Sequence, residues 1–556
     1  MKYLVPVLAG LALTACDLEG LQTSASNEPF TPDVSVENIE AHIRFLASDY
    51  MGGRDAGSDG YEIAANYVAS QMRLLGLEPA GDGENSYFAA VPMQDMRADG
   101  EFNQLTFNGQ TYGQGDGVVI WANPIHGEAE ITGELVFAGY GVSAANRGHD
   151  DYADLDVEGK IVVTMNGVPA GFPSEERAHH NSGNTKRAVA AARGAIGMIT
   201  VNSMTNEQAA GWAEGFASRE FTALTSATGA SPFDNIQAHA TVGTMLGTAF
   251  FEGAEMSLEE VRATMSADEP TYPVFDLPHS VTLRQRTLSE SFADPNVVGM
   301  IRGTDPELAD EYVVLTAHLD HIGQVSEFMR GSGGCRSSDE QDGICNGAVD
   351  NASGISIMLE TARTFLAQGA PRRSVLFVAL AAEEKGLLGS EHFARNPTVP
   401  ADAMVANVNL DMPVIVYDFA DVVAFGSDHS NLGPIASRAA ARMDIAVSED
   451  PIPEQSLFVR SDHYNFVRVG VPSLFLMTGF ASPDPRWDGG EGFMGFLNTY
   501  YHRQTDQLDG ELEVLFDQGA KFANINYLIA REIADSDETP AWNEDSFFGN
   551  MFAAED

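Results

Sequence analysis

Three continuous apolar runs in the C-terminal half of the chain predict strands that are buried on both faces. They cover residues 312–317, 375–382 and 405–410 and are rich in Val, Leu and Ala. Unbroken runs of this length are typical of a mainly parallel sheet covered by helices. Each run is followed by side chains that can bind a metal ion or a proton, namely His318, Glu383 with Glu384, and Asp411. Because sites in open α/β sheets form at the carboxyl ends of strands, these side chains are expected to meet.

Apolar residues at helical spacing predict amphipathic helices around this sheet. The clearest segments are residues 35–47, 59–75, 352–368 and 514–533. Ser35 is a start signal for the first, and Gly76 is a stop signal for the second. The predicted fold class is α/β, with a mostly parallel central sheet flanked by helices.

Residues 126–275 have a different pattern, with short strands, glycine-rich turns and a short alanine-rich helix. The predicted strands are 131–142, 159–165 and 196–201, and the helix is 186–193. The adjacent His179 and His180 are interpreted as loop residues, because neighbouring side chains point in different directions on most backbones. This region is predicted to be a β-rich insertion without a ligand motif.

Five side chains of the metal-binding type occur in an order that predicts a two-metal hydrolase. They are His318, Asp350, Glu384, Asp411 and His502. Two imidazoles and three carboxylates can hold two zinc ions if one carboxylate bridges them. Glu383, directly before one of these residues, is placed to take a proton from the attacking water. The sequence has no His-Glu-x-x-His motif, which excludes a zincin protease.

The motifs around these residues resemble the co-catalytic di-zinc aminopeptidase family, which includes bacterial leucyl aminopeptidases, glutamate carboxypeptidase and glutaminyl cyclase. The likeness spans most of residues 35–535. It is carried by His-Leu-Asp at 318–320, Asp-Asn-Ala-Ser-Gly at 350–354, Glu-Glu-Lys-Gly-Leu-Leu-Gly-Ser at 383–390, Asn-Leu-Asp-Met at 409–412, Arg-Ser-Asp-His-Tyr at 460–464 and Tyr-His at 501–502. Val349 departs from the usual Asp, and Arg503-Gln504 replaces the usual Thr-Pro.

The resemblance implies which residues share each metal ion. One zinc is expected on His318 and Glu384, and the other on Asp411 and His502. Asp350 is expected to bridge the two.

Three further acidic residues are expected to act beside the ligands. Glu383 and Asp320 are the predicted catalytic residues, and Asp320 is expected to hold the free ring nitrogen of His318. Asp506 is expected to do the same for His502.

Three further expectations concern the neighbourhood of the ligands. Tyr501 resembles a tyrosine that stabilises the oxyanion in carboxypeptidase members. Relatives turn the bridging carboxylate with a cis peptide, which is expected here between Asp350 and Asn351. His321 is expected not to be a ligand.

The implied activity is zinc-dependent exopeptidase action on peptide substrates, with removal of N-terminal residues as the leading prediction. A carboxypeptidase, a glutaminyl cyclase and a non-catalytic binding relative are the alternatives. The five retained ligands and the insertion argue against the cyclase, and the intact Glu383 argues against a non-catalytic protein. A carboxypeptidase would hold the substrate carboxylate with arginines, for which Arg330, Arg336 and Arg460 are candidates.

The insertion resembles a protease-associated domain, as carried by several family members. The predicted peptidase domain then covers residues 35–125 and 276–535, and the inserted domain covers 126–275. Residues 536–556 form an acidic tail, whose aromatic residues predict that it docks on the protein.

The first sixteen residues predict a lipoprotein signal peptide. Lys2 is followed by an apolar stretch, and Leu-Thr-Ala-Cys at 13–16 resembles a bacterial lipobox. Cleavage would leave a lipidated Cys16 followed by a polar tether over 17–34. The protein is then expected in the bacterial cell envelope, anchored to the membrane on its periplasmic or extracellular face. An ordinary signal peptide with a chance cysteine is the alternative.

Two remaining features bear on compartment and partners. Cys335 and Cys345 predict a disulfide in an exported chain, with two free thiols as the alternative. The formal net charge of −49, from 31 basic and 80 acidic residues, argues against nucleic acid as a partner. The oligomeric state is not predicted.

Overall fold

The computed structural model describes most of the chain beyond the predicted signal peptide. The described residues are 34–203, 206–217, 219–225, 233–325, 334–336, 342–485 and 488–553. The predicted lipidation site Cys16 and nearly all of the predicted tether lie outside them.

Strands and helices alternate along the chain. The strands are β1 (Glu78–Pro79), β2 (Phe88–Ala98), β3 (Gln104–Phe107), β4 (Gln110–Gly113), β5 (Val118–Ile120), β6 (Glu128–Ala138), β7 (Ser143–Ala144), β8 (His149–Asp150), β9 (Ile161–Met165), β10 (Gly197–Val201), β11 (Glu220–Leu224), β12 (Ala238–Val242), β13 (Val274–Ile301), β14 (Tyr312–His318), β15 (Ser374–Leu380), β16 (Met404–Asn409), β17 (Asp421–Phe425), β18 (Ala446–Ser448) and β19 (Ser473–Thr478). The α-helices are α1 (Val36–Leu46), α2 (Asp59–Leu75), α3 (Ser174–Asn181), α4 (Gly183–Ala191), α5 (Asn206–Phe216), α6 (Thr244–Phe250), α7 (Leu258–Met265), α8 (Gly354–Gln368), α9 (Leu388–Arg395), α10 (Leu432–Ala441), α11 (His463–Val467), α12 (Gly489–Thr499), α13 (Phe516–Asp535) and α14 (Phe547–Phe552).

The predicted peptidase domain is built on a mixed sheet with a parallel centre, the peptidase sheet. Its strand order is β11-β2-β13-β15-β14-β16-β19-β17-β18. Strands β15, β14, β16 and β19 run parallel, and the three predicted apolar runs form β14, β15 and β16. Every residue of these three strands is buried, which explains why the sequence shows no alternation.

Two groups of helices pack against this sheet. Helices α1, α8 and α13 pack together, and α8 and α13 contact β14; α11 packs on β16 and β19 and contacts α9. The side chain of Ser35 accepts a hydrogen bond from the backbone of Asn38, and Gly76 ends α2 in a left-handed conformation with φ of 92°. The helix boundaries that these two signals predict are confirmed to within a residue.

The strands of the inserted region join β3, β4 and β5, which precede that region, and part of β13 in a second sheet, the inserted sheet, with the order β4-β3-β13-β6-β9-β10-β12-β5. Strands β6, β9, β10 and β12 run parallel and enclose an apolar core of their own. The 28-residue strand β13 belongs to both sheets. Its residues 274–286 pair in the inserted sheet, and its residues 287–301 pair in the peptidase sheet.

The interpretation of His179 and His180 as loop residues is wrong. Both lie in α3 and are buried. His179 Nδ1 is 2.5 Å from the hydroxyl oxygen of Tyr464, and Phe547 and Phe552 of α14 contact its ring edge-on. Aromatic side chains that are distant in sequence bury this histidine, which a local pattern does not reveal.

The predicted docking of the tail is confirmed for the described residues up to 553. Phe548 is fully buried, and the indole of Trp542 donates to the carbonyl oxygen of Gly470 at 2.8 Å. Within the described part of the chain, no helix is long and apolar enough to cross a membrane.

Candidate metal centre

The predicted metal-type side chains converge at one edge of the peptidase sheet. His318 ends β14, Glu384 follows β15 and Asp411 follows β16. Asp350 lies just before α8, and His502 lies between α12 and α13. The carboxyl ends of three parallel strands thus meet two loop residues, as the sequence predicts.

The five side chains form two groups that share Asp350. In the first group, His318 Nε2 is 3.3 Å from Asp350 Oδ1 and 3.1 Å from Asp411 Oδ1. In the second, His502 Nε2 is 3.3 Å from Asp350 Oδ2 and 3.1 Å from Glu384 Oε2.

The predicted division of the ligands between two metal ions is therefore wrong. His318 lies with Asp411 rather than Glu384, and His502 lies with Glu384 rather than Asp411. The order of motifs along the chain does not reveal this pairing. Strand β14 lies between β15 and β16, so its terminal histidine can turn towards either neighbour.

The peptide bond between Asp350 and Asn351 is cis, which confirms the prediction. The Asn351 side chain then ties the bridging residue to the strand ends. Its amide nitrogen donates to the carbonyl oxygens of His318 and Leu410, at 3.3 Å and 2.9 Å. Its amide oxygen accepts hydrogen bonds from the backbone of Gly354 and Met412.

The predicted partners of Asp320 are different in the structure. The backbone carbonyl oxygen of Asp320, not its carboxylate, lies 3.2 Å from His318 Nδ1. The carboxylate accepts hydrogen bonds from the backbone nitrogens of Glu383 and Glu384, at 3.0 Å and 3.2 Å. Asp320 therefore fixes the turn that carries both glutamates.

The predicted contact between Asp506 and His502 is also wrong. The carboxylate of Asp506 accepts hydrogen bonds from the backbone nitrogens of Val349 and Asp350, at 3.0 Å and 3.1 Å. Asp506 is fully buried and holds the turn that presents the bridging carboxylate. Sequence spacing suggests which acidic residues are close to a site, but not whether they bind a ring or a backbone.

A buried chain of hydrogen bonds, which was not predicted, orients Asp411. Thr316 donates to the side chain of Asn409 at 2.6 Å, and Asn409 donates to Ser461 at 2.7 Å. Ser461 then donates to Asp411 Oδ2 at 2.6 Å. Ser461 belongs to a motif that the sequence singles out, but its partner becomes clear only in the fold.

His321 is a second residue whose position sequence reasoning missed. It is fully buried, and its Nδ1 lies 2.8 Å from Glu384 Oε1. Its distance to Asp350 Oδ2 is 3.9 Å, longer than the 3.3 Å from His502. With Asp350 and Glu384 it forms a group that could hold a cation.

The electrostatics of the cluster favour added positive charge. Burial by itself lowers the pKa of His502, yet the carboxylates of Glu384 and Asp350 raise it to about 10. In the same way, Asp411 and Glu383 overcome burial and hold the pKa of His318 well above its ordinary value. Imidazoles driven to take up protons mark positions where a dication would also be stabilised.

Glu383 faces a small cavity beside the two groups. The cavity has a volume of about 50 Å³, and its lining includes Glu383, Tyr501, Arg460 and both paired histidines. Burial raises the pKa of Glu383 well above its ordinary value, and the nearby Asp411 and Glu384 carboxylates raise it further. A carboxylate with a raised pKa is suited to accept a proton near neutral pH.

The predicted disulfide between Cys335 and Cys345 is confirmed, with their Cα atoms 5.6 Å apart. Next to it, the backbone nitrogen of Arg336 donates to the carbonyl oxygen of His502 at 3.2 Å. The Arg336 guanidinium donates to the carbonyl oxygen of Tyr501 at 3.1 Å. Arg330, the remaining candidate for a substrate carboxylate, lies outside the described residues.

The separations within the two groups fit tetrahedral zinc. Nitrogen and oxygen ligands bind zinc at roughly 2.0–2.2 Å, which places two ligands of one tetrahedron roughly 3.3–3.5 Å apart. The four histidine-to-carboxylate distances in the two groups are 3.1 to 3.3 Å. The residues present therefore fit two zinc ions that share Asp350.

Comparisons with known proteins agree with this site. Residues 296–517 match the model of peptidase family M28, and residues 131–234 match the model of the PA domain. The probable lipoprotein aminopeptidase LpqL of Mycobacterium tuberculosis is 24% identical over 494 residues, covering 86% of this chain and 81% of that protein. A probable zinc metalloprotease of Pyrenophora teres f. teres is 34% identical over 118 residues, covering 21% of this chain.

The match spans only 22% of that fungal protein and 23% of its counterpart in Pyrenophora tritici-repentis. Among solved structures, an aminopeptidase from Aneurinibacillus sp. strain AM-1 is 19% identical with a TM-score of 0.47. The aligned region covers 91% of this chain and 95% of that aminopeptidase. Residues 296–517 are thus similar to peptidase family M28, and residues 131–234, which precede them, are similar to the PA domain.

Proposed function

We propose that this protein is a zinc-dependent exopeptidase that removes N-terminal residues from peptides. One observation carries the proposal: two histidine–carboxylate groups share Asp350, and Glu383 faces the cavity beside them. The relative named as a probable lipoprotein aminopeptidase, which matches most of the chain, supports the choice of the N-terminal end.

Two zinc ions would be held by His318, Asp350 and Asp411 on one side and by Glu384, Asp350 and His502 on the other. His502 is assigned as the ligand rather than His321 because it approaches both carboxylates of its group at 3.1–3.3 Å. His321 binds the other oxygen of Glu384 and is assigned to orient it. When bound, the zinc ions supply Lewis acidity, which polarises the scissile carbonyl and acidifies the attacking water.

The protein's own residues then handle protons and charge. Glu383 accepts the proton of the attacking water and passes it to the leaving amine, with a contribution of roughly 10²–10⁴ in rate. Burial, with the charges of Asp350 and Glu384, raises the pKa of Tyr501. Tyr501 therefore keeps its proton and can donate a hydrogen bond to the developing oxyanion in the same cavity.

The test uses one peptide in three forms: free at both ends, blocked by N-acetylation, or blocked by C-terminal amidation. The zinc-loaded protein is expected to trim the free and amidated peptides from the N-terminus, as followed by mass spectrometry, and to leave the acetylated one intact. Trimming of the acetylated peptide from its C-terminus would instead establish a carboxypeptidase. Cyclisation of an N-terminal glutamine without hydrolysis would establish a glutaminyl cyclase, and the absence of any reaction with two bound zinc ions would favour a binding protein.

We also propose that Cys16 carries a lipid anchor in the bacterial cell envelope. The Leu-Thr-Ala-Cys sequence supports this, as does the relative that is named as a probable lipoprotein. In a bacterial host, the protein is expected in the membrane fraction, and Cys16→Ala is expected to move it out of that fraction. An unchanged membrane fraction for Cys16→Ala would contradict the anchor without affecting the proposed activity.

A further inference from the structure

Arg54 is a fully buried arginine in the loop between α1 and α2. Its guanidinium makes four hydrogen bonds, all to backbone carbonyl oxygens. The acceptors are Leu46 at 2.6 Å, Leu319 at 3.0 Å, Asn346 at 2.6 Å and Gly347 at 3.1 Å.

Three of these carbonyls belong to the two loops that carry ligands of the first metal group. Leu319 directly follows His318, and Asn346 and Gly347 closely precede Asp350. One side chain therefore binds both loops at once. A planar guanidinium has five donors in a fixed arrangement, so it also fixes the distance between the groups that it binds.

The backbone around Arg54 reinforces the same connection. The carbonyl oxygen of Arg54 accepts a hydrogen bond from the backbone nitrogen of His321, and that of Gly53 accepts one from Gly323. A Cβ atom at Gly53 would lie 2.5 Å from the carbonyl oxygen of Cys345. The segment thus runs tightly between the loop after β14 and the loop before Asp350.

The charge of Arg54 suits this place. Burial lowers its pKa to about 10, and the carboxylates of Asp506 and Asp320 oppose that decrease. The group therefore stays cationic at neutral pH beside a cluster of buried carboxylates. Its positive charge offsets part of their mutual repulsion.

We propose that Arg54 is a positioning residue for the zinc site. By joining the two loops, it holds His318 and Asp350 at the separation that one zinc ion requires. The proposal rests on the zinc site under the proposed function. It assigns to a residue from the N-terminal part of the chain an effect on metal affinity that acts through the two loops it joins.

The test compares Arg54→Met and Arg54→Lys with the wild type and with Arg373→Met. Arg373 is a matched control, because it is also fully buried and donates to the backbone carbonyl oxygens of Ile533 and Ser536. It lies at the amino end of β15, at the opposite end of that strand from the glutamates. Each folded protein is titrated with zinc in competition with a chelator, and the visible spectrum of its cobalt form is recorded.

Arg54→Met is expected to weaken zinc binding by roughly 10–100-fold and to change the cobalt spectrum. The zinc affinity of Arg54→Lys is expected to lie between those of the wild type and Arg54→Met. Lysine keeps the positive charge but lacks the planar guanidinium that binds both loops. Arg373→Met is expected to lower the thermal midpoint while keeping the wild-type zinc affinity and cobalt spectrum.

Wild-type zinc affinity and cobalt spectrum in Arg54→Met would overturn the proposal. If Arg54→Met does not fold, Arg54→Lys decides: reduced affinity supports the proposal, and unchanged affinity or failure to fold overturns it. A wild type that binds no zinc would instead contradict the proposed function. The two failures are therefore distinguishable.

Discussion

In the part of the chain that the structure describes, two sheets have a parallel centre, and the candidate site lies at one of them. In the peptidase sheet, β14, β15 and β16 lead into His318, Glu384 and Asp411. In the inserted sheet, β9, β10 and β12 end in Met165, Val201 and Val242, and Asn166, Asn202 and Gly243 follow them. Among the described residues, the candidate metal groups lie only at the peptidase sheet. Both sheets thus have parallel strands whose carboxyl ends could form a site. Only where the residues at those ends are metal-binding does a candidate metal site form.

The strongest test of this contrast separates the two glutamates after β15. Glu383→Gln is expected to reduce kcat by roughly 10²–10⁴ with zinc content unchanged, because an amide cannot accept the proton. Glu384→Gln is expected to lose zinc, because an amide is a weaker ligand than a carboxylate. Metal analysis beside kcat on a chromogenic amino-acid amide measures both. Near-normal kcat in Glu383→Gln, or loss of zinc from that variant, would contradict the role of Glu383 as proton acceptor.

The second prediction concerns the support of the bridging residue. In Asp506→Asn, one of the two backbone nitrogens of Val349 and Asp350 loses its acceptor. Zinc affinity is expected to fall by roughly 10–100-fold, as measured by chelator competition. Glu176→Asn is a comparison in the inserted domain, where a buried acidic side chain binds Arg147 and Asn146. If both variants bind zinc as the wild type does, Asp506 does not support the site.

The third prediction concerns the stability of the contact between the inserted domain and the peptidase part. Burial lowers the pKa of His179 to about 3, so the folded state keeps this ring neutral while the unfolded chain takes up a proton near pH 6.5. Stability is therefore lost as pH falls from about 6.5 to about 3, with a contribution of about 2 kcal/mol at pH 5. His179→Phe is expected to reduce this loss, as measured by urea unfolding at pH 7 and pH 5. An equal loss in the variant would exclude His179 as its source.

The smallest effect is expected at the end of an inserted strand. Asn166 follows β9 and is exposed. Asn166→Ala is expected to change stability by no more than about 0.5 kcal/mol and to leave zinc content and kcat/KM near the wild-type values. A large loss of activity would show that the end of the inserted sheet takes part in the reaction. The two sheets would then not differ in function as described.

The sequence predicts correctly those features of the fold that depend on neighbouring residues along the chain. The fully apolar runs become β14, β15 and β16, and Ser35 and Gly76 delimit helices as expected. The predictions that are wrong concern features that depend on contacts between distant segments. The ligand pairing, the partners of Asp506 and the burial of His179 each require knowing which strands and helices lie side by side.

The strand shared by both sheets determines what happens to the protein when the insertion is lost by deletion in the gene. Residues 281–286 of β13 pair with β6 on one side, and residues 281–284 pair with β3 on the other. A deletion of residues 126–275 would remove β6 and leave one side of this stretch unpaired. An exposed strand edge invites pairing with other chains and aggregation. The insertion is therefore continuous with its host, and losing it in a single step would leave a chain that tends to associate with itself.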